Sequence, residues 1–237
     1  MGFNHKAHYV FHEVHEAGLT NNPLLPAKQA KGQKAVTKKF HCQALLCIVI
    51  ISSNFMNTNF YIQVTNSTAH RPIRDVLSNA VLQDKNLLGE LVNIALDIKD
   101  PNHHKACWIL ELVMEARIEW LSNYITIFCD SLAYIKHDGA LRSFSKICLF
   151  AIKHRQKHSA FLNNQQTQQI TEACFDWLIN PAGKVATKAY AMRTLHLLGK
   201  NDDWIYPELK RIVSEDAAKH SAAYIAAAKD ILKKIGS

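Results

Sequence analysis

The chain has 237 residues, of which 48% are hydrophobic and 20% are charged, and this balance excludes an intrinsically disordered protein. It carries 28 Lys and Arg against 20 Asp and Glu, a formal net charge of +8 that permits contact with nucleic acid or other anionic surfaces. The longest uninterrupted apolar run, 44–51, has eight residues, far short of the roughly 20 that span a bilayer, so we predict no membrane segment.

The first 55 residues differ from the rest of the chain. They contain six lysines and two glutamates, so half of the net charge lies here, and prolines interrupt them at positions 23 and 26. No helical period persists through this stretch, whereas regular helical spacing begins directly after Met56. We therefore predict that residues 1–55 form a poorly ordered basic tail, with an over-extended gene start and translation from Met56 as the alternative. Residues 56–237 are predicted to form the folded domain.

After Met56 the spacing of apolar residues predicts helices joined by short loops. The predicted helices are 59–65, 70–82, 85–98, 103–116, 119–135, 139–157, 167–180, 184–198, 202–215 and 221–235. From Leu121 to Ile135, for example, apolar residues recur at intervals of three and four, which is typical of a helix with one buried face. The Asn- and Gln-rich stretch 159–169 predicts a long loop, and Gly199 predicts a helix C-cap. No apolar alternation predicts a strand.

A helix that starts with small or basic residues and turns aliphatic recurs roughly every 35 to 45 residues along this chain. Its versions are 105–110, 141–147, 188–195 and 222–228. Such a helix cannot bury its apolar stripe alone, so we predict an all-α, HEAT-like α-solenoid of about four antiparallel helix pairs that stack around one continuous core. This fold class favours a scaffold protein over an enzyme.

Cysteine and histidine spacing predicts no metal site. The six cysteines include no CxxC pair, and those at 107, 129, 148 and 174 lie among aliphatic or aromatic residues in helical segments. They are typical of small core residues in a reduced, cytoplasmic protein. His154 and His158 lie four apart on one helix, but no HExxH-like carboxylate accompanies them, so they predict a solvated basic helix end.

The helical pattern resembles HEAT repeats, whose two antiparallel helices meet at a turn often bearing Pro or Asp. Four blocks, 106–111, 173–179, 188–192 and 203–209, are also similar to a small family of bacterial helical-repeat proteins whose members are often labelled adenylosuccinate lyase. The similarity spans about residues 56–235. That label implies fumarate release by β-elimination, with a general base on a serine loop that contains Met-Pro. No methionine of this chain precedes proline, so we assign no catalytic residue.

Candidate binding residues come from the second helix of each pair, because second helices commonly line the concave surface of α-solenoids. The candidates are Trp108, Glu111, Arg142, Lys146, Lys188, Tyr190, Arg193 and Tyr224. Aromatic residues beside Arg suit binding hot spots. For Trp108, Tyr190 and Tyr224 the alternative is packing between repeats. Trp177 and Trp204, in first helices, are predicted to be core anchors.

Three functions follow from these observations. The first is a non-enzymatic interaction module that binds a protein or peptide partner. The second is a nucleic-acid-binding protein whose basic face contacts phosphates; its candidate contacts are Arg142, Lys146, Lys153, Arg155, Lys157, Lys188 and Arg193. The third is the lyase activity that the family label implies. We predict a cytoplasmic protein without metal or cofactor, and we make no prediction of its oligomeric state.

Overall fold

The computed structural model describes residues 58–216 and 220–236. The boundary between the two units of the chain falls between Asn54 and Phe55, and the predicted basic tail, 1–55, lies outside the described residues. Within the described ranges the chain forms ten α-helices, two 3-10 helices and no β-strand. The predicted all-α class is confirmed.

The helices follow one another with short connections. They are α1 (Thr58–Asn66), α2 (Arg71–Gln83), α3 (Leu87–Leu96), α4 (His103–Ala116), α5 (Ile125–Ser131), α6 (Asp138–Arg155), α7 (Asn164–Ile179), α8 (Val185–Leu198), α9 (Ile205–Asp216) and α10 (Ala222–Gly236). The 3-10 helices are Ile118–Tyr124, which leads into α5, and Ser159–Phe161, which precedes α7.

The helices form two layers. Helices α2, α4, α6, α8 and α10 pack side by side in chain order, and we call them the second-helix layer. Helices α3, α5, α7 and α9 form the first-helix layer. Each first helix, with the 3-10 segment before α5, packs on the second-helix layer. Counting from α3, this makes four helix pairs, as the sequence predicts, and the HEAT-like solenoid is confirmed.

One hydrophobic core runs between the layers through all the pairs. Phe128 of α5 and Phe144 of α6 stack within it, with ring centroids 4.9 Å apart. The described cysteines, Cys107, Cys129, Cys148 and Cys174, are unpaired thiols in this core, so their predicted core placement is confirmed. Each large apolar side chain buried here contributes about 1.5–3 kcal/mol, which explains why the repeats stack rather than stand alone.

The Asn- and Gln-rich stretch predicted as a long loop is instead a helix start, and that prediction is wrong. The side chain of Asn163 accepts a hydrogen bond from the backbone N–H of Gln166 at 2.8 Å. In return the backbone N–H of Asn163 donates to Gln166 Oε1 at 3.0 Å, which completes a capping box. Gln166 also donates to Thr126 Oγ1 at 3.2 Å. The same polar residues that favour loops therefore begin α7 and tie it to α5.

The single helix predicted over 119–135 is wrong as well. The segment is a 3-10 helix, Ile118–Tyr124, followed by α5, which ends at Ser131. Leu121, Phe128 and Leu132 are nevertheless all buried, as their spacing predicts. Both helix types place residues three apart near the same face, so periodicity identifies the buried face but not the type of helix.

Candidate functional site

Glu111 and Lys146 form the centre of a charge cluster between α4 and α6. The Glu111 side chain is only 2% exposed. Its carboxylate accepts hydrogen bonds from Lys146 Nζ at 3.0 Å and Ser143 Oγ at 2.7 Å, and Arg142 approaches it at 3.4 Å. Lys146 Nζ also donates to Glu115 at 3.0 Å. Both candidate cations, Arg142 and Lys146, are thus bound to carboxylates of the neighbouring helix.

The electrostatics of this cluster keep Lys146 charged. Burial favours the neutral amine, but the hydrogen bonds to Glu115 and Glu111 outweigh it and raise the pKa of Lys146 above its ordinary value. Removing one partner of a buried ion pair costs about 3–5 kcal/mol, because the other charge stays buried and uncompensated. The cluster therefore joins α4 to α6.

Lys188 and Tyr224 lie in the core. Both side chains are fully buried. Lys188 Nζ lies 5.8 Å from the centroid of the Tyr224 ring and 3.4 Å from His220 Nε2. The His220 ring packs on Tyr224, with ring centroids 4.1 Å apart. These contacts connect α8 with the start of α10, so both candidates pack between repeats and a partner at the surface does not reach them.

Trp108 packs on the start of α6. Its half-buried indole meets the His104 ring edge-to-face at 5.0 Å, and His104 stacks on His137 at 4.0 Å. A Cβ added at Gly139 would lie 2.9 Å from Trp108 Nε1. Glycine at the first turn of α6 is what allows this close approach.

Tyr190 and Arg193 are the candidates of α8 that a partner can reach. Tyr190 is half-buried and Arg193 is exposed, and the guanidinium lies 5.8 Å from the centroid of the Tyr190 ring. This is within the range of a cation–π contact, which is worth about 0.5–1 kcal/mol at an exposed site. The pair leaves a small aromatic surface beside one positive charge.

An open groove that the sequence did not predict lies between α7 and α9. Both helices pack against α8 more closely than against each other. The space left between them has a volume of 730 Å³. Its walls are Phe175, Ile179, Trp204, Pro207, Glu208, Arg211 and Ile212. A second cavity, of 720 Å³, shares Phe175 and Trp204 with the first and continues toward Arg155 and Asp202. We call the two together the α7–α9 groove.

The Phe175 and Trp204 rings stack at the centre of this groove, with centroids 5.4 Å apart and planes 26° from parallel. Trp204 is 58% exposed, so its prediction as a core anchor is wrong, whereas Trp177 is buried as predicted. Ile205, the first residue of α9, is fully buried and takes the core position. The preceding Trp204 therefore points outward onto Phe175.

Carboxylates border the groove on both sides of the aromatic stack. Glu172 and Asp176 lie on α7, and Asp202 lies in the turn before α9. The exposed Asp203 precedes Trp204 directly. Among the described residues Asp176, Asp202 and Asp203 take part in no ion pair. This border is acidic in a chain whose net charge is positive.

The HEAT repeat domain family matches residues 63–235 of the chain. The chain belongs to this family. No curated protein and no solved structure is significantly similar to it. The comparisons give no support to the adenylosuccinate lyase label, because the matching family is described only by its HEAT repeat. HEAT repeats generally mediate protein interactions, and that general role applies to this domain.

The described part of this HEAT repeat domain contains no group of three or more His, Cys, Asp or Glu residues placed to hold a metal ion. His154 and His158 stack at 4.3 Å, and His154 meets Phe161 edge-to-face at 4.6 Å. None of the helices in the described ranges combines the length and the apolar character that crossing a bilayer requires.

A signal for the groove is present in the HEAT repeat sequence, although it is faint. Phe175 and Ile179 lie four residues apart on α7, beside the core positions Cys174 and Leu178. Residues four apart share a helix face, so α7 carries two adjacent apolar stripes where a single buried face needs one. The second stripe is the wall of the groove.

Proposed function

We propose that this HEAT repeat domain is an interaction module that holds a peptide segment of a partner protein in the α7–α9 groove. The exposed Trp204 ring, stacked on the half-buried Phe175, is the observation that carries this proposal. Large apolar side chains left at the surface beside an open cleft mark interaction sites, and tryptophan is enriched among the residues that dominate binding energy. The groove also offers Ile179, which is 54% exposed, as a second apolar contact.

The charges favour a protein partner over nucleic acid. Of the candidate phosphate contacts, Lys188 is buried, and Arg142 and Lys146 are bound to Glu111. Phosphate binding draws its affinity from cations that are free to neutralise the backbone. The acidic border of the α7–α9 groove also repels phosphate. Nucleic acid is therefore the weaker of the two candidates, and its binding would have to depend on the remaining predicted contacts, which are Lys153, Arg155, Lys157 and Arg193.

The buried thiols support a further part of the proposal, that the protein works in a reducing compartment such as the cytoplasm. All four described cysteines are unpaired. This placement has no bearing on the partner and is tested separately by fractionation of cells.

The proposal is tested with peptides selected from a displayed library against the full chain. The selected peptides are then labelled, and their dissociation constants are measured by fluorescence anisotropy. We expect Trp204→Ala to weaken binding about tenfold or more, which corresponds to about 1.4 kcal/mol. Val76→Ala is the control, because Val76 is 62% exposed but lies on α2, and it should leave binding unchanged. Peptides whose binding ignores the change at Trp204 would contradict the proposed site.

A further inference from the structure

We infer that the segment held in the α7–α9 groove is cationic and carries Lys or Arg beside an apolar or aromatic anchor. This inference rests on the proposed function of the groove and adds the chemistry of its occupant. It follows from the charges around the groove, the aromatic surface at its centre and the apolar cleft next to that surface.

The acidic residues approach the aromatic stack from two elements. Glu172 and Asp176 lie four residues apart on α7, both exposed, and therefore next to each other on one helix face. Asp202 and Asp203 are exposed in the turn that leads to Trp204. Like charges at such spacing repel each other, and a cationic ligand between the two elements relieves this repulsion.

Little positive charge within the groove offsets these carboxylates. Two cations line it, Arg155 and Arg211. Arg211 binds Glu208 at 2.6 Å and Glu215 at 2.9 Å, so its charge is already compensated. Arg155 offsets one of the three carboxylates that line the same cavity, so the groove keeps a net negative charge, while the chain as a whole carries +8. Complementary potentials speed association and exclude partners of the wrong sign, so this border selects a basic segment and rejects an acidic one.

The aromatic surface favours the same occupant. An exposed indole face attracts a guanidinium or ammonium group placed within about 6 Å of the ring, and arginine can also stack on it through its planar guanidinium. Next to the stack, Ile179 and Pro207 line a mainly apolar cleft, which suits an aliphatic or aromatic anchor. One basic side chain on Trp204 and one apolar side chain in the cleft would occupy both parts of the groove.

Three synthetic peptides of equal length test this inference. Each carries the same apolar anchor, flanked by Lys and Arg in the first peptide, by Gln in the second and by Glu in the third. Their dissociation constants for the full chain are measured by fluorescence anisotropy at low and at high salt. We expect the dissociation constant of the cationic peptide to be lower than that of the neutral peptide by a factor of about ten or more. Salt should shrink this advantage, because it screens exposed charges.

Two matched variants show whether the groove is the source of that preference. Neutralising the α7 carboxylates, Glu172→Gln with Asp176→Asn, should bring the dissociation constant of the cationic peptide close to that of the neutral peptide measured on the same variant. The control, Asp84→Asn with Glu119→Gln, makes the same change in net charge at exposed sites outside the groove and should keep the advantage. Both variants alter exposed side chains, and their thermal unfolding is compared with that of the wild type.

The outcomes separate this inference from the proposed function. The cationic preference is overturned if the neutral peptide binds equally well, or if the advantage survives the loss of the α7 carboxylates. In either case, if Trp204→Ala abolishes the binding, the groove would still be supported as the peptide site. If no peptide binds, or if binding does not respond to Trp204→Ala, the groove itself is the wrong site and both proposals fail.

Discussion

Ser143 on α6 donates a 2.7 Å hydrogen bond to the buried carboxylate of Glu111 on α4. The two side chains belong to the second helices of neighbouring repeats. Because burying a carboxylate is unfavourable by several kcal/mol unless the charge is compensated, this bond and the ion pair with Lys146 restrict how α4 and α6 can slide against each other. Residues predicted as a binding surface thus stabilise the stacking of repeats.

Replacing Glu111 should destabilise the fold much more than replacing its exposed neighbour. We expect Glu111→Gln to lower the free energy of unfolding by about 2 kcal/mol, because it removes the buried charge that Ser143 and Lys146 bind, although Lys146 keeps a second carboxylate partner. Glu115→Gln removes the exposed partner of the same lysine and should cost less than about 1 kcal/mol. Urea denaturation of both variants measures the difference. Equal losses would show that the burial of Glu111 has no energetic role.

Gly199 should not tolerate a methyl group. A Cβ at this position would lie 2.3 Å from two atoms of the Tyr206 ring, which bridges α9 to α8 by donating a hydrogen bond to the His196 carbonyl at 3.1 Å. Gly199→Ala must displace that ring and should cost about 1–3 kcal/mol. Gly236→Ala is the matched control, because no atom lies within 4 Å of its added Cβ.

A rescue experiment separates this clash from a general effect of alanine. The double variant Gly199→Ala with Tyr206→Leu replaces the ring with a smaller side chain. Its loss of unfolding free energy should be smaller than the sum of the two single losses, because the smaller side chain relieves the clash. Strict additivity of the two changes would argue that Tyr206 is not what excludes a side chain at this position.

Acid should destabilise the domain through its partly buried histidines. Burial, and then the nearby His137, lower the pKa of His104 below its ordinary value of 6.5. In this pH range the folded state binds fewer protons than the unfolded state. The contribution of neutral His104 to the free energy of unfolding is therefore complete above about pH 6.5, and it is lost as the pH falls through the pKa of the folded state. His104→Gln should reduce the loss of stability between about pH 7.5 and pH 5 in urea titrations. The same change at exposed His70 should leave that loss as in the wild type.

The core thiols should be inert in the folded protein. Burial raises the pKa of Cys129 and of Cys174 to about 12 and raises the pKa values of Cys107 and Cys148 well above the ordinary value. Thiolate is the reactive form, so a Cys42→Ser, Cys47→Ser variant, which keeps these four cysteines, should react with Ellman's reagent only as fast as it unfolds. Added denaturant should expose all four at once. Rapid reaction without denaturant would mean that the core opens far more readily than its packing implies.

Much of the fold could be predicted because its signal is local. Apolar residues spaced three and four apart identify a buried helix face in any solenoid, and the helix pairs from α3 to α10 follow from that spacing. The start of α7 could not be identified in the same way. Asn163 and Gln166 are as suitable for a loop as for a capping box, and only the packing of α7 on α5 decides between the two.

The groove depended on tertiary structure that no local pattern records. Trp204 and Ile205 are both apolar and adjacent, and one of the two must occupy the core. The turn after α8 places Ile205 inside and Trp204 outside.

One candidate binding residue on a second helix was predicted at the surface and is instead buried in the core. Lys188 looked like a surface cation, but it is buried against Tyr224, because a long side chain can turn its stem into the core and find a partner there.

Site-specific photo-crosslinking tests the central claim most directly. Benzoylphenylalanine is placed at Trp204 in one variant and at Val76 in another, and each full-length protein is irradiated with a library-selected peptide. We predict a covalent product for the variant at Trp204, with little or none for the variant at Val76. The irradiated peptide carries a label, and an excess of the same peptide without the label should suppress the labelled covalent product. Equal products at both positions, or none at Trp204 from a peptide that binds, would contradict the account and place the partner elsewhere on the domain.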